Sequence, residues 1–175
     1  MNDSPEIWHP GRSCPLHYRY APSVFAREPD FQTDTLYVVG GLYGNQPALD
    51  TIQKMASQER GSTTIIFNGD FNWFNRDDAG FEAINRVVLS HRVLRGNVET
   101  ELSADDGSAG CGCAYPDSVP EAEVVRSNQI LQRLRDTARR FPSLRAQLKQ
   151  LPMQAVAGVG DLRIGVVHGD AQSLV

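Results

Sequence analysis

Two hydrophobic periods alternate through the middle of the chain. Thr35 to Val39 is a β-branched and aromatic run short enough for a buried strand, and Thr63 to Asn68 is another. After the first, Gly40, Gly41 and Gly44 make a turn, and Ala48, Ile52, Met55 and Ala56 then recur at helical spacing up to Arg60. After the second, Gly69-Asp70 closes the strand and Phe81, Ile84, Val88 and Leu89 mark a helix. A third strand, Val93-Leu-Arg95, stops at Gly96-Asn97. Strands alternating with helices in this way predict an α/β fold with neighbouring parallel strands.

The flanks read differently. Residues 1–34 show no period and are broken by Pro5, Pro10, Pro15, Pro22 and Pro29, so they are expected to form an extended, proline-rich arm, tethered by Tyr18, Tyr20 and Phe25 to a domain at 35–175. Thr100 to Pro120 is rich in Gly, Ser and Asp and predicts a surface insertion. Pro120, Glu121 and Glu123 suit a helix start, Val124, Leu131, Leu134 and Ala138 give that helix an apolar stripe, and Pro142 is expected to end it. Ala155–Val159 and Leu162–Val167 flank Gly160-Asp161 as a hairpin, which leads into His168-Gly-Asp170. A sequence that stops so soon after a hairpin predicts a domain short of its final strands, with an unpaired sheet edge open to self-association.

Length and charge narrow the field. A chain of 175 residues suits one domain, and 17 basic against 21 acidic side chains leave a net charge of -4, which does not indicate a nucleic-acid partner. The arginines between Arg126 and Lys149 are expected on the solvated face of a helix. No apolar run is long enough to span a membrane and the N-terminus lacks a signal-peptide pattern, so a cytoplasmic protein is expected. Three cysteines make no disulfide framework. Cys14 and His17 in the arm, with Cys111 and Cys113 in the insertion, read either as unrelated groups with reduced thiols or as four ligands of a structural zinc pinning arm to insertion.

Chemistry concentrates where the strands end. Asp70, Asn97 and His168 each follow a strand, and together they offer oxygen and imidazole ligands suited to Mn, Fe or Zn. Singly, they also read as a helix cap, a turn residue and a core histidine. Trp73 and Phe74, just after Asp70, read either as walls of a pocket or as residues packed beneath it, packing being the expectation, and His91 is expected at the surface.

With their glycines, Gly40-Gly-Leu-Tyr-Gly-Asn45, Gly69-Asp70, Arg95-Gly-Asn-Val-Glu99 and Val167-His-Gly-Asp170 have the order and spacing of the calcineurin-like metallophosphoesterases. The sequence resembles that family from about Thr35 onward. The resemblance implies an αββα sandwich, incomplete here at its C-terminal end, with a metal site at the strand ends and a phosphate ester hydrolysed by metal-activated water. It also implies that Asp70, Asn97 and His168 are metal ligands. The family's first motif has an aspartate and a histidine where this chain has Gly41 and Tyr43; Val98 replaces a histidine, and the last motif has no counterpart.

Two dications about 3.5–4 Å apart repel by about 18 kcal/mol even at an effective dielectric of about 20, so anionic ligands must hold them. Without such ligands at 41 and 43, a mononuclear site is expected. The activity that the resemblance implies is that of a metal-dependent phosphohydrolase acting on a phosphorylated small molecule or other phosphoester. The alternative is a non-catalytic relative that binds a phosphorylated ligand or a protein partner, the residues at 41 and 43 being the feature that favours it.

Overall fold

The computed structural model describes residues 9–12, 20–105 and 110–169. Two three-stranded sheets carry the fold. The first has the order β2(Thr35–Val39), β3(Thr63–Asn68), β4(Arg92–Leu94), all parallel. In the second, β5(Gln154–Val159) pairs in parallel with β1(Phe31–Thr33) and antiparallel with β6(Leu162–Val167) across the Gly160-Asp161 turn. The α/β class and the parallel pairing expected from the sequence are both present.

β3 shows why its sequence is apolar without alternation. Successive side chains point to opposite faces of a strand, and both faces here are covered. Ile65 and Phe67 pack in the main core with Leu49 of α1(Gln46–Ala56), Phe81 and Ile84 of α2(Asp78–Val88), and Leu131 and Leu134 of α4(Glu121–Ala138). Ile66 points the other way and meets Leu94, Ala155 and Val166, so a second core lies between the two sheets. Among the described residues the layers are therefore helices, sheet and sheet. Each fully buried side chain of this size contributes about 1.5–3 kcal/mol.

Local chemistry sets the helix starts. The Asn45 side chain accepts the Ala48 N–H at 3.1 Å to cap α1, and Asp77 accepts the Gly80 N–H at 2.9 Å to cap α2. Pro142 does not end α4, which stops at Ala138; it lies in the first turn of a further helix, α5(Pro142–Gln150). A proline suits that place because it has no N–H to leave unpaired.

Other expectations change in the flanks. β1 lies inside the stretch read as an arm, and its approach to β5 is fixed by Asp30, whose carboxylate accepts the Val156 N–H at 2.8 Å. Phe25, at the end of the 3-10 turn Pro22–Phe25, covers Gly165 on β6 and meets Tyr20 edge-on at 6.0 Å.

The expected insertion instead begins as a buried helix, α3(Asn97–Ser103), whose Glu99 and Glu101 are internal, while Asp105 just beyond it is exposed. Glu101 is ion-paired with Arg135, their side chains 3% and 9% exposed, so Arg135 is not on a solvated face. Arg145 donates to the carbonyls of Leu102 and Ala104, at 2.9 and 3.0 Å, closing the C-terminal end of α3. His91 is half-buried and tilted against Phe67 at 5.7 Å, not on the surface.

Residues 9–12 are stitched to the loop that follows α3. Arg12 donates to the carbonyls of Pro116 and Val119 at 2.8 and 3.0 Å and pairs with Glu121 at 2.9 Å. Asn128 of α4 donates to the Pro10 carbonyl at 2.9 Å and accepts the Cys111 N–H at 2.9 Å. These hydrogen bonds hold the two segments together.

Candidate functional site

β3 ends in a tight turn that aims Asp70 back across the strand ends. Gly69 has φ 77° and Asp70 φ 56°, both left-handed. A side chain at 69 would lie 2.6 Å from the Gly96 nitrogen and 2.7 Å from His168 Nδ1, so close approach of backbone requires the glycine. The turn is held from beneath by Glu99, on the first turn of α3, which accepts the N–H groups of Asp70 at 2.7 Å, Phe71 at 3.2 Å and Gly96 at 3.3 Å.

Three residues read from separate strand ends meet here. His168 Nε2 lies 3.6 Å from Asp70 Oδ2 and 3.3 Å from Asn97 Oδ1. Each group has its orientation fixed. His168 Nδ1 is 2.6 Å from the Asn68 carbonyl, which can only accept, so Nδ1 carries a proton and Nε2 faces inward, as a lone pair whenever the ring holds only that proton. Asn97 donates through Nδ2 to the Cys111 carbonyl at 3.1 Å, which leaves Oδ1 facing the histidine. Asp70 Oδ1 accepts the Val98 N–H at 3.1 Å, and Oδ2 faces His168. Three electron-pair donors therefore converge, a set that calls for an imidazolium or a bound cation.

Electrostatics points the same way. Burial pushes the Asp70 carboxyl above its usual range, against the pull of His168 and the Val98 N–H. Glu99 is pushed up to about 8, first by burial and then by the charge on Asp70, against the backbone N–H groups that favour its ionised form. Positive charge at this point would relieve both acids. The donor set of carboxylate, amide oxygen and imidazole can hold a borderline divalent ion, and the Nδ1–H to carbonyl bond is the usual support of a ligating histidine. Among the described residues no three His, Cys, Asp or Glu side chains are grouped so as to hold a metal ion; of the three groups here, Asp70 and His168 are of those types and Asn97 is an amide.

The pocket in front of Asp70 and Asn97 has a volume of about 260 Å³ and is also lined by Tyr43, Trp73, Phe74, Cys113, Tyr115 and Ser127. Phe74, 53% exposed, walls the opening, whereas Trp73 lines the pocket and also packs against the main core as expected. Tyr43 projects over Gly41, its hydroxyl 2.7 Å from the place a Cβ would take there. That space contains a phenol and no carboxylate.

The cysteines divide. Cys111 is buried, whereas Cys113 borders the pocket, its sulfur 3.9 Å from Asn97 Nδ2 and 3.6 Å from the Cys111 carbonyl; both are free thiols. The Cys113 thiol is driven well up by its hydrogen bond with Cys111 and by burial. Cys14 and His17, the other two groups of the expected zinc clamp, lie outside the described residues. Tyr115 and Ser127, 2.9 Å apart, complete the wall and were not signalled by any motif. Glu99 was visible as a motif residue, but its grip on the turn depends on contacts between strand ends.

No protein-family model matches the chain, and no curated protein matches it. Among solved structures, the chain is similar to the crystal structure of hypothetical protein PH1004 from Pyrococcus horikoshii OT3, with 19% identity and a TM-score of 0.49 over 77% of this chain and 53% of that one. The chain thus spans about half the length of that protein.

Proposed function

We propose that this protein is a metal-dependent phosphohydrolase of the calcineurin-like metallophosphoesterase type, using one divalent metal position formed by Asp70, Asn97 and His168. The observation that carries the reading is the convergence of Asp70 Oδ2, Asn97 Oδ1 and His168 Nε2 from three strand ends, each fixed by a backbone partner. A divalent ion bound there supplies Lewis acidity toward a phosphoryl oxygen and lowers the pKa of water. The chain's own part is to orient the donors. Asn68 sets the histidine tautomer, the Cys111 carbonyl sets the amide, and Glu99 fixes the turn that carries Asp70. Phe74, Trp73 and Tyr43 wall the opening and limit access of bulk water.

The second reading, a non-catalytic relative that binds a phosphorylated ligand, is favoured by one specific observation: Tyr43 fills the space in front of Gly41. No helix among the described residues is long and apolar enough to cross a membrane, and the free thiols accord with a cytoplasmic setting. β6 is an edge of its sheet among the described residues, with Leu162 exposed, which supports self-association along that edge.

The deciding experiment combines elemental analysis of chelator-free protein with turnover of p-nitrophenyl phosphate and bis(p-nitrophenyl) phosphate in Mn²⁺. About one equivalent of Mn or Fe, with turnover lost in Asp70→Asn, is the expected result. Metal without turnover favours the second reading. Absence of bound metal, or turnover unchanged in Asp70→Asn, overturns the proposed site.

A further inference from the structure

We infer that the phosphoester this site accepts carries a planar aromatic group, and that Phe74 with Tyr43 forms the shelf on which it stacks; this rests on the phosphohydrolase reading above. Among the described residues the other aromatic side chains are buried or partly buried, Phe67, Phe71 and Phe81 fully. At the opening beside Asp70, however, Phe74 is 53% and Tyr43 44% exposed. Tyr43 and Phe74 meet edge-to-face at 6.4 Å and 71°, and Trp73 and Phe74 at 6.5 Å and 73°, so three rings share one rim.

This rim is built, not loose. Beneath it, buried Asn72 is the hub of an amide network: its Oδ1 accepts from Asn85 at 2.7 Å and from Asn75 at 3.1 Å, and its carbonyl accepts the Asn75 N–H at 2.8 Å. Those bonds fix the turn that turns Trp73 and Phe74 outward. The Tyr43 loop is tied to the same backbone, Tyr43 N–H donating to the Asp70 carbonyl at 3.1 Å and Gly44 N–H to the Phe71 carbonyl at 2.8 Å. A rigid, exposed ring loses little entropy when a flat ligand stacks on it.

Size completes the case. The pocket of about 260 Å³ is smaller than the roughly 300–1,000 Å³ that encloses a drug-sized ligand. It takes a phosphate and a small linker such as a sugar, and leaves the remainder of the ligand on the rim. A heteroaromatic base is the kind of group that gains there, since stacking is sequence-tolerant and every base has a π-face.

Isothermal titration calorimetry of the full chain in Mn²⁺ tests this with three probes: adenosine 5′-monophosphate, ribose 5-phosphate and adenosine. The nucleotide is expected to bind about tenfold more tightly than ribose 5-phosphate. Phe74→Ala should erase that difference, and Phe74→Tyr should preserve it, with melting temperature confirming that both variants fold. Equal binding of nucleotide and ribose 5-phosphate by the wild type overturns the shelf and leaves the phosphate site standing. Adenosine binding without ribose 5-phosphate supports the shelf and sinks the phosphate site. Failure of all three probes overturns both.

Discussion

The hydroxyl of Tyr43 lies 2.7 Å from the position where a Cβ on residue 41 would sit, so the two positions are sterically coupled. Gly41→Asp alone must push the exposed far end of the Tyr43 ring aside and is therefore expected to lower stability by no more than about 1 kcal/mol. Adding Tyr43→His removes the clash and should recover most of the loss, a non-additivity that denaturant titration of the two single variants and the double variant will read. If the double variant is as unstable as the sum of the singles, the coupling is not steric.

Glu99 accepts three backbone N–H groups in a buried setting. Glu99→Ala should cost about 3 kcal/mol or more, because each orphaned donor carries its own desolvation penalty. Glu99→Gln keeps an acceptor oxygen and is expected to cost less than half as much. Urea midpoints at unchanged slope provide the comparison, and equal losses would show that the charge, not the acceptor, matters.

The buried Arg135–Glu101 pair predicts an asymmetry between one change and two. Glu101→Ala removes the carboxylate beside a buried guanidinium and should cost about 3–5 kcal/mol. Replacing both partners, as Glu101→Leu with Arg135→Met, should recover most of this, since apolar groups need no desolvation. Thermal unfolding of the two variants tests it.

Metal binding should register as stability. Mn²⁺ at about a hundred times its dissociation constant adds about 2.7 kcal/mol to the folded state, or about 5–10 °C for a chain of this size. Chelation should reverse the shift, and Asp70→Asn should abolish it. An equal rise in Asp70→Asn would place the ion elsewhere.

How far the sequence revealed this protein depends on the range of the interaction. β2, β3 and the β5–β6 hairpin were readable because β-branched runs bounded by glycine define strands locally. α5 was missed because a proline signals both the end of one helix and the start of another. β1 was missed because three residues between Pro29 and Asp34 show no period.

The candidate site divides in the same way. Asp70, Asn97 and His168 were legible as groups at strand ends, and the fold brings them together. Glu101 and Arg135 were read as surface charges, since nothing local marks an acid and an arginine 34 residues apart as partners. Cys113, Tyr115 and Ser127 reach the pocket through the packing of α4 and the loop before it, which no spacing in the sequence encodes.

The one carboxylate whose two oxygens serve three amides has a kinetic consequence. The N–H groups of Asp70, Phe71 and Gly96 all end on Glu99, so none can open to solvent by a purely local fluctuation of its own strand end. Their deuterium uptake should follow one common rate, set by release of α3 from the sheet, and Glu99→Gln should accelerate all three together.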